Sequence, residues 1–257
     1  MTQSDVEYSG MMAEYWDLFR GDTSQWEDRS FYLEIIAESG QPVLDVGCGT
    51  GRLLLDYQSQ GVDIDGVDIS SDMIEICRQK AKKMELVPRL YLADMETMSL
   101  PRQYRTILVP SSSFQLVVES ERAKKVLSNL FSHLLPSGTL VMPFMKVWKE
   151  GFDNSWRQTG EKNRPGDGAT VKRWSRNWFD PRAQLEHTED RYEVIRDGVM
   201  ISSEQHMRSP ATREYTQNQA QDLYAEAGFL NLRIYKGFSH ESATQDDEIF
   251  TICGMKP

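Results

Sequence analysis

Short apolar runs alternate with longer amphipathic stretches over the first part of the chain. Residues 43–46, 62–67, 90–92, 106–109 and 139–144 each read as a buried strand bounded by Gly, Pro or Asp. Helical stretches separate them. One begins at Leu53, Leu54, Leu55 and Tyr57, one covers 71–83, and one covers about 119–135 and is stopped by Pro136-Ser137-Gly138. The first 39 residues read as helical: Tyr15, Leu18 and Phe19 share one face, and Phe31, Tyr32, Ile35 and Ile36 form a second. Gly40-Gln41-Pro42 ends that pattern. Strands regularly separated by helices predict a parallel sheet covered on both faces.

Beyond residue 145 the alternation stops. Residues 149–168, rich in Gly, Asn, Asp, Arg and Lys, read as a loop. Three strand-like runs follow, 170–179, 184–195 and 199–208, with Asp180-Pro181 and Asp197-Gly198 at the joints. An Asp-Gly pair between strands predicts a type I′ hairpin, because both central residues need a positive φ. A helix at 218–227, ended by Gly228, resumes the α/β order, and strands at 230–235 and 248–253 close the chain. The expectation is a doubly wound α/β sheet of seven mainly parallel strands (40–145 and 216–257), a helical N-terminal cap (1–39) and an antiparallel β insert (146–215).

The most informative segment is Val43 to Gly51, V-L-D-V-G-C-G-T-G. A buried strand carries Asp45, and Gly47, Gly49 and Gly51 follow at every second position. Such glycines let the backbone turn sharply and approach a ligand closely, and the helix N-terminus beyond favours an anionic group. Two further acids stand at the next strand ends: Asp68 in Gly66-Val67-Asp68-Ile69-Ser70, and Asp94 in Leu92-Ala93-Asp94-Met95. Each alone could cap a helix. Three on one edge of a sheet point to a ligand, with Asp68 placed to accept from ribose hydroxyls. The spacing G-x-G-x-G is not the G-x-G-x-x-G that admits a pyrophosphate, and no phosphate-binding G-x-x-x-x-G-K-[ST] occurs.

Charge and cysteine usage narrow the partners. A formal net charge of −10 disfavours nucleic acid and anionic membrane surfaces. Cys48, Cys77 and Cys253 are far apart and odd in number, so reduced buried thiols are expected, with no zinc site. The four histidines are scattered and no metal is expected. Residues 1–10 are polar and acidic without a signal-peptide core, which points to a soluble cytoplasmic protein.

D-x-G-C-G-T-G, G-V-D-I-S-x-x-M and A-D-M, in that order, resemble the class I S-adenosylmethionine-dependent methyltransferases. The Y-W-D-L helix, the L-L-P-S-G-T-L-V turn and the A-G-F turn at Ala227-Gly228-Phe229 extend the resemblance along the chain. It implies a Rossmann-like fold, S-adenosyl-L-methionine as cofactor, and methyl transfer to an N or O atom of a small molecule. It also implies roles. Gly47, Cys48 and Gly49 would face the methionyl part, with Gly51 closing the turn, and Asp45 would support the ammonium. Asp68 would hold the ribose, Ile69 and Met73 would pack on adenine, and Asp94 and the Met95 N–H would reach its ring edge. Pro110 and Ser111 would lie beside the sulfonium.

Related small-molecule N-methyltransferases often carry a histidine soon after the fourth strand; here the matching position is Leu116. Gln115 could orient a substrate without taking its proton. The resemblance puts the Tyr15 helix over the pocket, so its phenol either orients the nucleophile or is a core aromatic. In the insert, Trp174, Arg176 and Trp178 alternate together, as do Leu185, His187, Glu189 and Arg191. Polar groups on both faces suggest that one looks into a substrate pocket, with Arg176 and His187 on it; Arg208, Arg213 and Tyr215 lead back to the sheet and could recognise an anionic or hydroxylated substrate. The competing readings are a nicotinamide-dependent oxidoreductase and a non-catalytic S-adenosylmethionine-binding regulator.

Overall fold

The computed structural model describes residues 8–147 and 154–257. The N-terminal part of the cap (1–7) and residues 148–153, which include the start of the expected loop, lie outside the described residues. The cap forms α1 (Gly10–Glu14), α2 (Trp16–Arg20) and α3 (Glu27–Ser39). There follow β1 (Val43–Val46), α4 (Arg52–Ser59), β2 (Ile64–Asp68), α5 (Ser71–Lys83), β3 (Arg89–Leu92), β4 (Tyr104–Leu108), α6 (Ser120–Ser132) and β5 (Leu134–Met145). The insert contributes β6 (Arg157–Asn163), β7 (Thr170–Asp180), β8 (Leu185–Arg196) and β9 (Val199–Arg213). The chain closes with α7 (Gln217–Glu226), β10 (Leu230–Lys236) and β11 (Ile249–Met255).

The large sheet runs β10-β11-β5-β4-β1-β2-β3. Strands β3, β2, β1, β4 and β5 are parallel, and β11 joins antiparallel between β5 and β10. This is the Rossmann-like arrangement with a β insert. Two buried clusters cover its faces, one built on Leu44, Ile107, Leu127, Leu140 and Ile252, the other on Tyr32, Ile35, Val43, Leu54 and Ile74. The central strands β1, β4 and β5 are largely buried on both faces, β1 along its whole length. The fold puts the C-terminal ends of β1, β2, β3 and β4 side by side on one edge, where a parallel sheet binds ligands.

Two local expectations change. The loop expected at 149–168 contains β6, whose Arg-Gln-Thr-Gly-Glu-Lys-Asn sequence has no apolar alternation. It is an edge strand of the insert sheet β6-β7-β8-β9, held by main-chain pairing to β7, so periodicity carries no signal. The helix expected to run to Leu135 ends at Ser132, and Pro136-Ser137-Gly138, expected to stop it, lies inside β5, which begins at Leu134. Ser137 takes φ 60° there and the pairing with β4 shifts register, which is how a turn-like tripeptide fits in a strand. The Asp197-Gly198 hairpin forms as expected, with φ 51° and 76°.

Candidate active site

The glycine turn is held against β2 by its own backbone. The N–H groups of Gly47 and Cys48 donate to the Val67 carbonyl at 2.8 and 3.1 Å, and that of Gly49 donates to Asp68 Oδ2 at 2.8 Å. Asp68 Oδ1 accepts from Ser70 N at 2.8 Å. Burial pushes the Asp68 carboxyl up, and these amides pull it back toward the ionised form. Gly47, Gly49 and Gly51 all have positive φ. A Cβ on Gly47 would stand 2.8 Å from Ser113 Oγ, whereas one on Gly49 would meet nothing within 4 Å and would project into open space.

That space is a cavity of about 730 Å³, within the size range of small-molecule sites. All three strand-end acids line it: Asp45, Asp68 and Asp94. So do Gly47, Cys48, Gly49, Ile69, Met73, Met95, Pro110 and Ser111. Gly51 does not. Its Cβ would come within 2.5 Å of Cys77 Sγ and 2.9 Å of Leu55 Cγ, so its role is to let α4 and α5 pack closely. All three cysteines are free and buried.

Asp45 is the most unusual group. It is 2% exposed, it takes a hydrogen bond from the Leu54 N–H, and its Oδ1 has no partner among the described residues. Burial pushes its pKa up to about 7, against the pull of the Arg52 guanidinium. A buried acceptor left open on a cavity wall fits a ligand cation. Asp94 is more committed: Oδ1 accepts from Glu96 N at 2.8 Å and Oδ2 from Arg122 at 3.2 Å.

Sequence reasoning missed the opposite wall. Trp16, Arg20 and Trp26 of the cap line the cavity. Arg20 lies 4.9 Å from both indole rings and donates to Ser111 Oγ at 3.2 Å. Burial lowers its pKa. Arg52 stacks on the other side of the site over Trp26 at 5.0 Å and forks onto the buried Asp28 at 3.0 and 2.5 Å. The cap is fastened over the site by Lys80–Asp17 (2.8 Å), Thr50–Asp17 (2.7 Å) and Gly10 N–Asp72 (2.8 Å). Only the one-turn spacing of Trp16 and Arg20 hinted at this in the sequence.

Several expected catalytic and substrate positions lie elsewhere. Tyr15 does not line the cavity; it is 3% exposed, packs with Met12, Val171, Tyr192 and Val194, and accepts from Arg164 at 3.0 Å. The apolar face of Tyr15, Leu18 and Phe19 turns toward the insert, and the other side of the helix faces the cavity. Gln115 is fully buried: its amide nitrogen Nε2 donates to the Met145 and Arg213 carbonyls, both at 2.9 Å, and Oε1 accepts from Met145 N at 2.8 Å. It ties the 3-10 turn at Ser113–Leu116 to β5 and β9. Arg213 donates to the Val118 and Ala183 carbonyls, and Tyr215 packs on Phe114 and Phe144. Arg176 pairs with Glu189 at 2.7 Å, and His187 stacks on Trp178 at 5.0 Å. None of these side chains lines the 730 Å³ cavity. Of the insert residues considered, Arg208 does, donating to the Leu116 carbonyl at 3.0 Å.

Comparison with known proteins agrees with this geometry. Residues 43–138 match the family model described as "Methyltransferase domain". The glycine/sarcosine N-methyltransferase of Aphanothece halophytica is 23% identical, over 96% of this chain and 88% of its own. A dTDP-3-amino-3,6-dideoxy-alpha-D-glucopyranose N,N-dimethyltransferase of Streptomyces fradiae is 27% identical over 53% of this chain, which spans about half (54%) of that relative. The crystal structure of an S-adenosylmethionine-dependent methyltransferase from Clostridium acetobutylicum superposes with a TM-score of 0.75 at 19% identity, covering 96% of this chain and 97% of that one. The last likeness concerns the fold; the glycine turn, the three acids and the family match carry the assignment. Residues 43–138 carry a methyltransferase domain, and the chain around it has the fold of S-adenosylmethionine-dependent methyltransferases.

Proposed function

We propose that the enzyme methylates a nitrogen atom of a small molecule, using the 730 Å³ cavity for both cofactor and acceptor. S-adenosyl-L-methionine supplies a methyl group already activated on a sulfonium. Asp45 Oδ1 takes the cofactor ammonium, and Arg20, held between Trp16 and Trp26, takes its carboxylate. Asp68 accepts from the ribose hydroxyls while its N–H bonds from Gly49 and Ser70 keep it in place. Ile69, which is 38% exposed although apolar, and Met73 cover the adenine, with Asp94 and Met95 at its edge. Pro110 and Ser111 border the reacting methyl. The helical cap closes one side of the cavity and the insert the other.

One observation favours nitrogen over oxygen. The cavity wall beyond β4, β5 and β11 is formed by Leu116, Val117, Met145, Phe238 and Ile249, with Arg208 as the charged group beside them. No carboxylate or imidazole stands there among the described residues, and Leu116 occupies the position where a basic side chain would otherwise be expected. A hydroxyl acceptor generally needs a base within about 2.6–3.2 Å. An amine can arrive neutral, and a neighbouring guanidinium favours the neutral form. The chain then works by orientation and by exclusion of water, which can supply roughly 7 to 11 kcal/mol of the barrier. Both named relatives act at nitrogen, which agrees with this reading.

The test is transfer of tritium from methyl-labelled S-adenosylmethionine to a panel of small amines and to the corresponding alcohols. Labelled amine products support the reading. Label transfer confined to the alcohols would overturn the nitrogen assignment, and tight cofactor binding with no transfer to any acceptor would favour the regulator.

A further inference from the structure

We infer that the methyl acceptor extends past Arg208 onto the inner face of the insert sheet, where Asn177, Glu186 and Thr188 recognise a neutral, hydroxyl-rich part of it. This rests on the methyltransferase reading above and adds the class of acceptor.

The register of the insert sets its two faces. Asn177 pairs with Thr188 and Thr188 with Arg208, so the three side chains share a face. Further along that face lie Val171, Tyr192 and Val194, which pack against α1 and α2. The same face is therefore apolar where the cap covers it and polar where it passes beyond the cap. Its polar end borders a second cavity of about 470 Å³, lined by Asn177, Glu186, Thr188 and Asp190 among others. Arg208 lines the larger cavity and its cross-strand partner Thr188 the second one, so the two spaces lie on either side of this pair. Arg176 contributes to the second lining, but its guanidinium is committed to Glu189.

The chemistry of the second cavity selects against charge. Arg173 is held by the buried Asp190 at 2.8 Å, and Ser175 donates to the same oxygen at 2.5 Å. Arg157 donates to Asn177 Oδ1 at 3.2 Å, and Asn177 Nδ2 donates to Glu186 Oε1 at 3.0 Å. Burial raises the Glu186 carboxyl, which favours its neutral form. A phosphate would call for a guanidinium fork directed at it. Here the cations are turned onto carboxylates and amides within the wall. Asn177 and Glu186 bond each other, which leaves the second Asn177 N–H and the Thr188 hydroxyl directed at a ligand, and ligand hydroxyls, which both donate and accept, match such groups.

The experiment is saturation-transfer difference NMR on the full chain loaded with S-adenosylhomocysteine, with D-glucosamine as probe because it carries one amine and several hydroxyls. The wild type should show ring-proton transfer. Asn177→Ala and Thr188→Val should each weaken apparent affinity by about fivefold. Thr188→Ser should restore it, and His187→Ala on the outer face should leave it unchanged. Calorimetry should find S-adenosylhomocysteine affinity equal in all variants, which also establishes that they fold. Undiminished transfer in both inner-face variants overturns the inference, as does a stronger response to glucosamine 6-phosphate, which would mark a phosphate site. No response to glucosamine in a protein that binds S-adenosylhomocysteine overturns it while leaving the methyltransferase reading intact. Failure of the wild type to bind S-adenosylhomocysteine would overturn both.

Discussion

The cofactor wall and the insert sheet are built on opposite principles. On the cofactor wall each polar group sits at the end of a buried strand, so its direction follows from the strand's end rather than from its face. Asp45, Asp68 and Asp94 stand on one edge because β1, β2 and β3 are parallel neighbours. In the insert, both faces carry charged and aromatic side chains, and the direction of each depends on alternation along the strand. Arg176 and His187 face one way, Asn177 and Thr188 the other. A site placed at strand ends tolerates an error of one residue, whereas a site placed along a strand is inverted by it.

Asp68→Ala should break the cofactor wall most severely. It removes the carboxylate proposed to accept from ribose and also frees the Gly49 and Ser70 N–H groups. Two charged hydrogen bonds lost at about 1.5–3 kcal/mol each should weaken S-adenosylhomocysteine binding at least about a hundredfold by calorimetry. Unchanged affinity in a folded variant would remove Asp68 from the site.

Gly51→Ala separates a structural glycine from its ligand-facing neighbours. With φ 84° and Cys77 Sγ 2.5 Å from the new Cβ, stability should fall by about 2–3 kcal/mol, read as a lower midpoint in urea. Cofactor affinity of the remaining folded protein should change little. A large loss of affinity at unchanged stability would return Gly51 to the binding wall.

Asp45 sharpens the comparison through pH. Its pKa of about 7 means that acid protonates it in the free protein. An ammonium ligand is held by the ionised form, so affinity should rise with pH through about 7 and level off above. Between about pH 6 and 7.5 the change should be roughly tenfold, and Asp45→Asn should flatten the profile at its low end. A flat wild-type profile would show that this carboxyl does not meet the ammonium.

Tyr15→Phe carries the smallest expected effect. The phenol meets Arg164, not the cavity, so the loss is one partly exposed hydrogen bond worth about 0.5–1.5 kcal/mol of stability. Turnover and cofactor affinity should stay near wild type. A selective fall in turnover would place the hydroxyl at the reacting atoms.

The alternation of apolar runs and amphipathic helices determined the sheet and its helical cover, because a strand buried on both faces must be apolar throughout and a covering helix must be amphipathic. The glycine turn and the strand-end acids were legible for the same reason: they are local, and their geometry is set within a few residues of each strand end. Strand β6 was not legible, since an edge strand solvated on both sides has no periodic signal. Neither was the work of Gln115, a mid-chain amide joined to carbonyls of residues 145 and 213. Trp16, Arg20 and Trp26 could not be told from an ordinary polar helix surface until the cap was folded over the cavity. The inner face of the insert was likewise decided by tertiary packing, because the apolar patch of Val171, Tyr192 and Val194 docks on α1 and α2 and turns every other side chain of β7 and β8 toward or away from the site. The sequence determined which groups lie at strand ends; only packing between distant segments determined which face of a two-sided strand looks inward.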